Sequence, residues 1–173
     1  MTNRTICIER EYGSNGKKIA EWLSKSMGVA WYGRDALKQT VRENDLVKGI
    51  SEEDPEWEKE AYKEAVNFLS AKGNCIFVGT GAASVCQGRE RNINIFIKAD
   101  EESKIAWVMA SDKTDRETAV AKIAEMGTHR ENNRKNFAFT EAGEPVVYDL
   151  VLFSSKFGIE GSAEIIKQSL SRI

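Results

Sequence analysis

Short apolar runs alternate along the chain with longer amphipathic segments, and this alternation predicts the main elements. "TICI" (5–8) reads as a strand. The helix after it, from about Lys17 to Met27, carries Ile19, Leu23 and Met27 at i, i+4, i+8 and stops at Gly28. "VAWY" (29–32) reads as a second short strand, and a charged helical region runs from Arg34 to about Lys48. Asp54-Pro55 opens a long helix, with the aspartate as N-cap and the proline at the first helical position. Its buried stripe is Trp57, Ala61, Ala65, Phe68 and Leu69, and Gly73 ends it. "CIFVG" (75–79) and "INIFI" (93–97) are apolar at nearly every residue, the pattern of strands covered on both sheet faces. Asp100 can cap the next helix, which carries Ile105, Trp107, Val108 and Met109, and Thr114-x-x-Glu117 reads as a capping box opening another. "YDLVLF" (148–153) is the last strand and Ser162 to Ser171 the last helix. Strands alternating with helices imply βαβ units, a mainly parallel sheet and a three-layer α/β domain.

Composition narrows the function classes. A chain of 173 residues suits one domain that buries roughly 70% of its unfolded surface. A formal charge of −2 argues against a sequence-wide attraction to nucleic acid or anionic lipid. No apolar run approaches the roughly 20 residues of a membrane span, and "MTNRTICIER" has no signal-peptide core. A cytoplasmic location is therefore expected, without nucleic acid or membrane as partner. Cys7, Cys75 and Cys86 are odd in number and widely spaced; Cys7 and Cys75 lie in apolar runs and read as buried thiols, not as a disulfide framework or zinc site.

The candidate chemistry lies between the first strand and the first helix, in "EYGSNGKK" (11–18). In a parallel sheet the ligand crevice opens at the carboxyl ends of the strands. A phosphate there is bound by consecutive backbone N–H groups, a helix N-terminus and a lysine at the helix start. Gly13, Ser14, Asn15, Gly16 and Lys17 supply these in the right order. Against G-x-x-x-x-G-K-[ST], however, the first glycine falls on Glu11, and the hydroxyl that would ligand magnesium falls on Lys18. The bland alternative is an ordinary strand-to-helix turn. "HRENNRK" (129–135) is locally basic and reads either as a set of lid cations or as a solvated helix face. His129, the only histidine, is either a general base or an exposed bystander.

"IEREYGSNGKKIAEWLSKSMGVAWYGRDAL" resembles the start of the cytidylate kinase-like family, a branch of the P-loop nucleoside monophosphate kinases, which runs approximately I-S-R-x-Y-G-S-G-G-R-x-I-A. Further matches are "CIFVGTGAAS" (75–84), "INIFIKADEESKIAWVM" (93–109) and "YDLVLFSSKFGIEGSAEII" (148–166). The resemblance implies a P-loop NTPase-like domain spanning 1–173, with a five-stranded parallel sheet of order 2-3-1-4-5 flanked by helices and a helical lid at about 112–140. It implies ATP with Mg2+ as donor and a nucleotide or similar small acceptor. Gly13, Ser14, Asn15, Gly16, Lys17 and Lys18 would bind the donor, with Lys17 on its outer phosphates. Arg34 would hold the acceptor, and Arg130 with Arg116 or Arg134 would close over the reaction.

The sequence also departs from the family pattern. Gly33 replaces an aspartate, Thr80 an arginine, Gly127 a lid aspartate, Asn133-Arg134 a tyrosine pair and Phe153 an asparagine. "CIFVG" ends without the aspartate that would serve magnesium, so the metal ligands stay unassigned. Three readings stand: an ATP-dependent phosphotransferase, a catalytically weak or inactive nucleotide-binding sensor, and a scaffold that binds no nucleotide. Nothing in the sequence indicates the oligomeric state.

Overall fold

The structure, a computed structural model, describes residues 4–139 and 145–173. Along the chain run β1 (Thr5–Arg10), α1 (Gly16–Met27), β2 (Trp31–Tyr32), α2 (Arg34–Asn44), α3 (Pro55–Lys72), β3 (Cys75–Val78), α4 (Ala82–Cys86), β4 (Asn92–Lys98), α5 (Glu101–Asp112), α6 (Arg116–Asn136), β5 (Leu150–Phe153) and α7 (Ser154–Ser169). All strand pairs are parallel, in the order β2-β3-β1-β4-β5. The three layers and the 2-3-1-4-5 order are those expected from the sequence.

Alternation along β1 builds the two halves of the core. Ile6 and Ile8 join Ile76, Ile93, Ile95 and Ile97 against α1 and α7. On the opposite face Cys7, Cys75 and Phe77 pack on α2, α3 and α4. A third, smaller cluster, Ile105, Val108 and Ala119, joins α5 to α6 and rests against Tyr12. The glycine turn after β1 thus touches the α5–α6 pair directly. Among the described residues no helix is long and apolar enough to cross a membrane.

Several boundaries differ from expectation. Asp54 and Asp100 do cap their helices, accepting from Glu56 N and Ser103 N at 2.9 Å. The cap of α6 is Asp115, not Thr114: its carboxylate accepts from Thr118 N at 2.8 Å, and a carboxylate serves a helix N-terminus better than a hydroxyl. Helix α7 is two helical segments, 154–157 and 159–169, so it starts earlier than the expected Ser162. It passes through Gly158 at φ 69, ψ −178, a kink that hides the helical period of its first turn. In α3 the fully buried stripe includes Tyr62 and Val66, while Phe68 and Leu69 are half-buried. The expected lid interval reaches residue 140, which lies outside the described residues.

Candidate functional site

The first half of the glycine turn is locked. Ser14 N and Oγ both donate to Glu11 O, at 3.4 and 2.8 Å, and Ser14 is fully buried. Its own carbonyl accepts from Ser154 Oγ at 2.6 Å. Glu11 N donates to Ile97 O at 2.9 Å, and the Glu11 carboxylate takes Ala99 N at 3.1 Å and Lys104 Nζ at 3.4 Å. Gly13 adopts φ 81 and lies so close to α5 that a Cβ would sit 3.2 Å from Lys104 Cα. The second half is open. Asn15 is left-handed (φ 59), and the first helical bond runs from Ile19 N to Asn15 O, so the N–H groups of Gly16, Lys17 and Lys18 have no helical acceptor. Gly16 is glycine for a packing reason: a Cβ there would lie 2.7 Å from both Cβ and Cγ of Arg10.

Arg10, the last residue of the central strand, connects two cavities. The larger, about 560 Å³, is bounded by Arg10, Lys17, Trp31, Arg34, Thr80 and Arg130, with α2 presenting its N-terminus at Gly33–Ala36. The smaller, about 320 Å³, lies on the other side of the Arg10–Arg130 pair and is lined by Tyr12, Lys98, Lys104 and Arg134. Arg130 Nη1 donates to Arg10 O at 2.8 Å, and its guanidinium lies 5.3 Å from the centre of the Tyr12 ring. Burial, and then the neighbouring Arg10 charge, push Arg130 down to about 10; burial also lowers Arg10. Among the described residues neither guanidinium has a carboxylate within ion-pair distance. Glu9 acts on Arg10 only through space, so two cations held together with no carboxylate in direct contact make a site that favours an anion.

Glu9 fastens the surrounding loops. It is 2% exposed and accepts from Gly81 N at 3.3 Å and Tyr148 OH at 2.8 Å. Burial raises its carboxyl, and these two donors offset the rise in part. Gly79 and Gly81 turn the chain at φ 141 and 108, which brings Gly79 and Thr80 to the larger cavity.

Residues 5–69 and 50–156 match the profile of the cytidylate kinase-like family. The chain belongs to this family. An uncharacterized protein from Eubacterium ventriosum superposes with a TM-score of 0.81 at 19% identity, over 98% of this chain and 99% of that one. The shikimate kinase of Bacteroides thetaiotaomicron gives 0.58 at 11% identity, covering 97% and 98%. A gluconokinase from Sinorhizobium meliloti gives 0.59 at 11%, covering 99% and 93%. At these identities the likeness is one of fold. No curated protein matches the chain significantly.

Among cytidylate kinase-like residues named from sequence, Lys17, Arg34 and Arg130 come together around the larger cavity, and Arg130 and Arg134 around the smaller. Lys17 is mostly exposed, 5.5 Å over the Trp31 ring and 4.0 Å from Glu21. Arg34 stacks 4.6 Å over Phe137. Arg134 lies 5.4 Å over Phe96. Six of the named residues line neither cavity: Gly13, Asn15 and Gly16 of the turn, and three more. Ser14 is buried with its hydroxyl committed to Glu11, Lys18 is exposed and lines neither cavity, and Arg116 forms a bidentate pair with Glu102 at 2.6 and 2.8 Å. Arg10 is the residue that glycine-based reasoning passes over. Its signal is positional, as the end of the central strand and the arginine of the I-S-R start.

The magnesium ion implied by the family does not fit these donors. Lys18 replaces the ligand hydroxyl, the Ser14 hydroxyl is committed to Glu11, and the oxygen side chains that line the larger cavity, Asp35, Thr80 and Asn133, stand among Arg10, Lys17, Arg34 and Arg130 with no carboxylate cluster among the described residues.

Proposed function

We propose that the protein is an ATP-dependent phosphotransferase acting on a nucleotide or a similar small acceptor. The observation that carries this reading is the Arg10–Arg130 pair, with no carboxylate in direct contact among the described residues, between two cavities and beside the open N-terminus of α1. ATP places its outer phosphates against the N–H groups of residues 16–18, with Lys17 swinging from Trp31 to meet them. The acceptor lies in the larger cavity, held by Arg34 and the α2 N-terminus. An acceptor oxygen attacks the terminal phosphorus in line, the bond from that phosphorus to the bridging oxygen breaks, and ADP leaves. Guanidiniums fixed in a partly desolvated cleft stabilise the charge on the transferring oxygens without reorganising.

A second reading, a nucleotide-binding protein of weak or absent turnover, is favoured by Lys18 at the place of the magnesium-ligating hydroxyl and by Gly127 at the lid aspartate. Calorimetric titration with ATP, followed by an ADP-release assay over a panel of monophosphate acceptors, separates the two. Binding with acceptor-dependent ADP release supports the transferase. Binding without turnover supports the sensor, and no binding removes both. Lys17→Ala should weaken ATP binding by about 1.5–3 kcal/mol, the range of a charge-assisted hydrogen bond.

A further inference from the structure

The guanidinium pair bears on what form of nucleotide the site accepts. The stem of Arg10 lies against Gly16, where the phosphate loop meets its helix, and the side chain lines both cavities. Arg130 spends one N–H on the Arg10 carbonyl and keeps its remaining donors. Around the smaller cavity Arg10, Lys98, Lys104, Arg130 and Arg134 face one lining carboxylate, Glu11, which is already held by Ala99 N and Lys104, while the buried Glu9 acts on Arg10 and Arg134 through space. A divalent cation entering the smaller cavity meets fixed positive charge, and in the larger cavity Asp35 and Thr80 stand against four cations, Arg10, Lys17, Arg34 and Arg130. A polyphosphate meets several unsatisfied donors.

We propose that the Arg10–Arg130 pair occupies the role of the divalent cation, so that the site binds a nucleoside triphosphate as the metal-free anion and binds it less tightly once magnesium is complexed to it. The inference rests on the nucleotide site of the preceding reading. Its physical basis is charge. Metal-free ATP presents more negative charge than its magnesium complex, and fixed guanidiniums in a partly desolvated cleft respond strongly to that difference. Bidentate guanidinium–phosphate bonds also need the oxygens that magnesium would otherwise engage.

The test is a pair of calorimetric titrations of the full chain with ATP, one in EDTA and one in saturating magnesium chloride, at matched ionic strength. The expected result is at least about tenfold tighter binding in EDTA, a difference of roughly 1.4 kcal/mol. Arg10→Gln should weaken the metal-free binding by at least tenfold and shrink the gap between the two conditions. Arg130→Gln should do the same, and it serves if the Arg10 variant fails to fold by thermal melting. Equal or tighter binding with magnesium overturns the inference and leaves the nucleotide site standing. A gap that survives both substitutions also overturns it. Absence of ATP binding in both conditions removes the nucleotide site itself.

Discussion

Arg116 and Arg130 ride on the same helix, about four turns apart, and the fold treats them in opposite ways. Arg116 stands at the exposed start of α6 and closes both arms of its guanidinium on Glu102, itself 72% exposed at the side chain. Arg130 is half-buried, has no carboxylate partner among the described residues, donates to a backbone carbonyl and sits beside a second guanidinium. Its proton is held less tightly than that of a free arginine, whereas the Glu102 carboxylate makes Arg116 hold its proton more tightly. An arginine satisfied by its own chain has little left for a ligand, and one left unsatisfied in a cleft is ready for an anion. Residue type and lid location rank the two alike; the neighbouring carboxylate separates them.

The largest expected effect lies where Arg10 is packed. Gly16→Ala forces a Cβ into the Arg10 stem and should destabilise the protein by about 1–3 kcal/mol, read as a lowered urea midpoint. An unchanged midpoint would mean that Arg10 is free to move off the helix start. Next is Arg130→Gln, expected to lower ATP affinity tenfold or more while shifting stability by less than about 1 kcal/mol, because the lost carbonyl bond is offset by relief from Arg10. A large stability loss with intact affinity would make Arg130 a structural residue.

Smaller still is the pH effect at Glu9. Burial raises its carboxyl, so the folded chain keeps a proton that the unfolded chain releases. The contribution is full below the ordinary carboxylate range, about pH 4, and is lost as pH rises through the raised value. Glu9→Gln should therefore flatten the fall of the urea midpoint as pH increases above about 4; parallel slopes would remove Glu9 as its source. Least of all, Arg116→Ala should leave the urea midpoint nearly unchanged, because exposed ion pairs contribute little, and leave ATP affinity unchanged. A tenfold affinity loss would break the contrast between the two arginines.

The sheet was legible because its strands are buried on both faces. "CIFV" and "INIFI" leave few polar positions to confuse the period, and the aspartate starts of α3 and α5 and the glycine stop of α3 are local signals. The start of α7 was not legible, since Gly158 breaks the helix geometry just where the repeat would begin. In the site, Lys17, Arg34 and Arg130 were accessible through motif position, but Ser14 and Arg116 were not separable from them. Whether a hydroxyl faces a cavity or a carbonyl depends on the turn closed by Glu11 and on Ser154, which lies 140 residues away in the chain. Arg10 was missed because nothing local marks a charged residue at a strand end as unpaired; that follows only when β1, α1 and α6 converge.

The buried thiols give this chain a built-in reporter. Cys7, Cys75 and Cys86 are all free, and all lie in the cluster beneath α2, α3 and α4, of which α2 also borders the larger cavity. A thiol-reactive dye can reach them only when that layer opens, so labelling under native conditions clocks the opening, and any ligand that binds the closed form slows the clock by one plus its concentration over Kd. Candidate acceptors and donors can thus be ranked by protection of native cysteines, with no catalytic turnover, no coupled assay and no added label site.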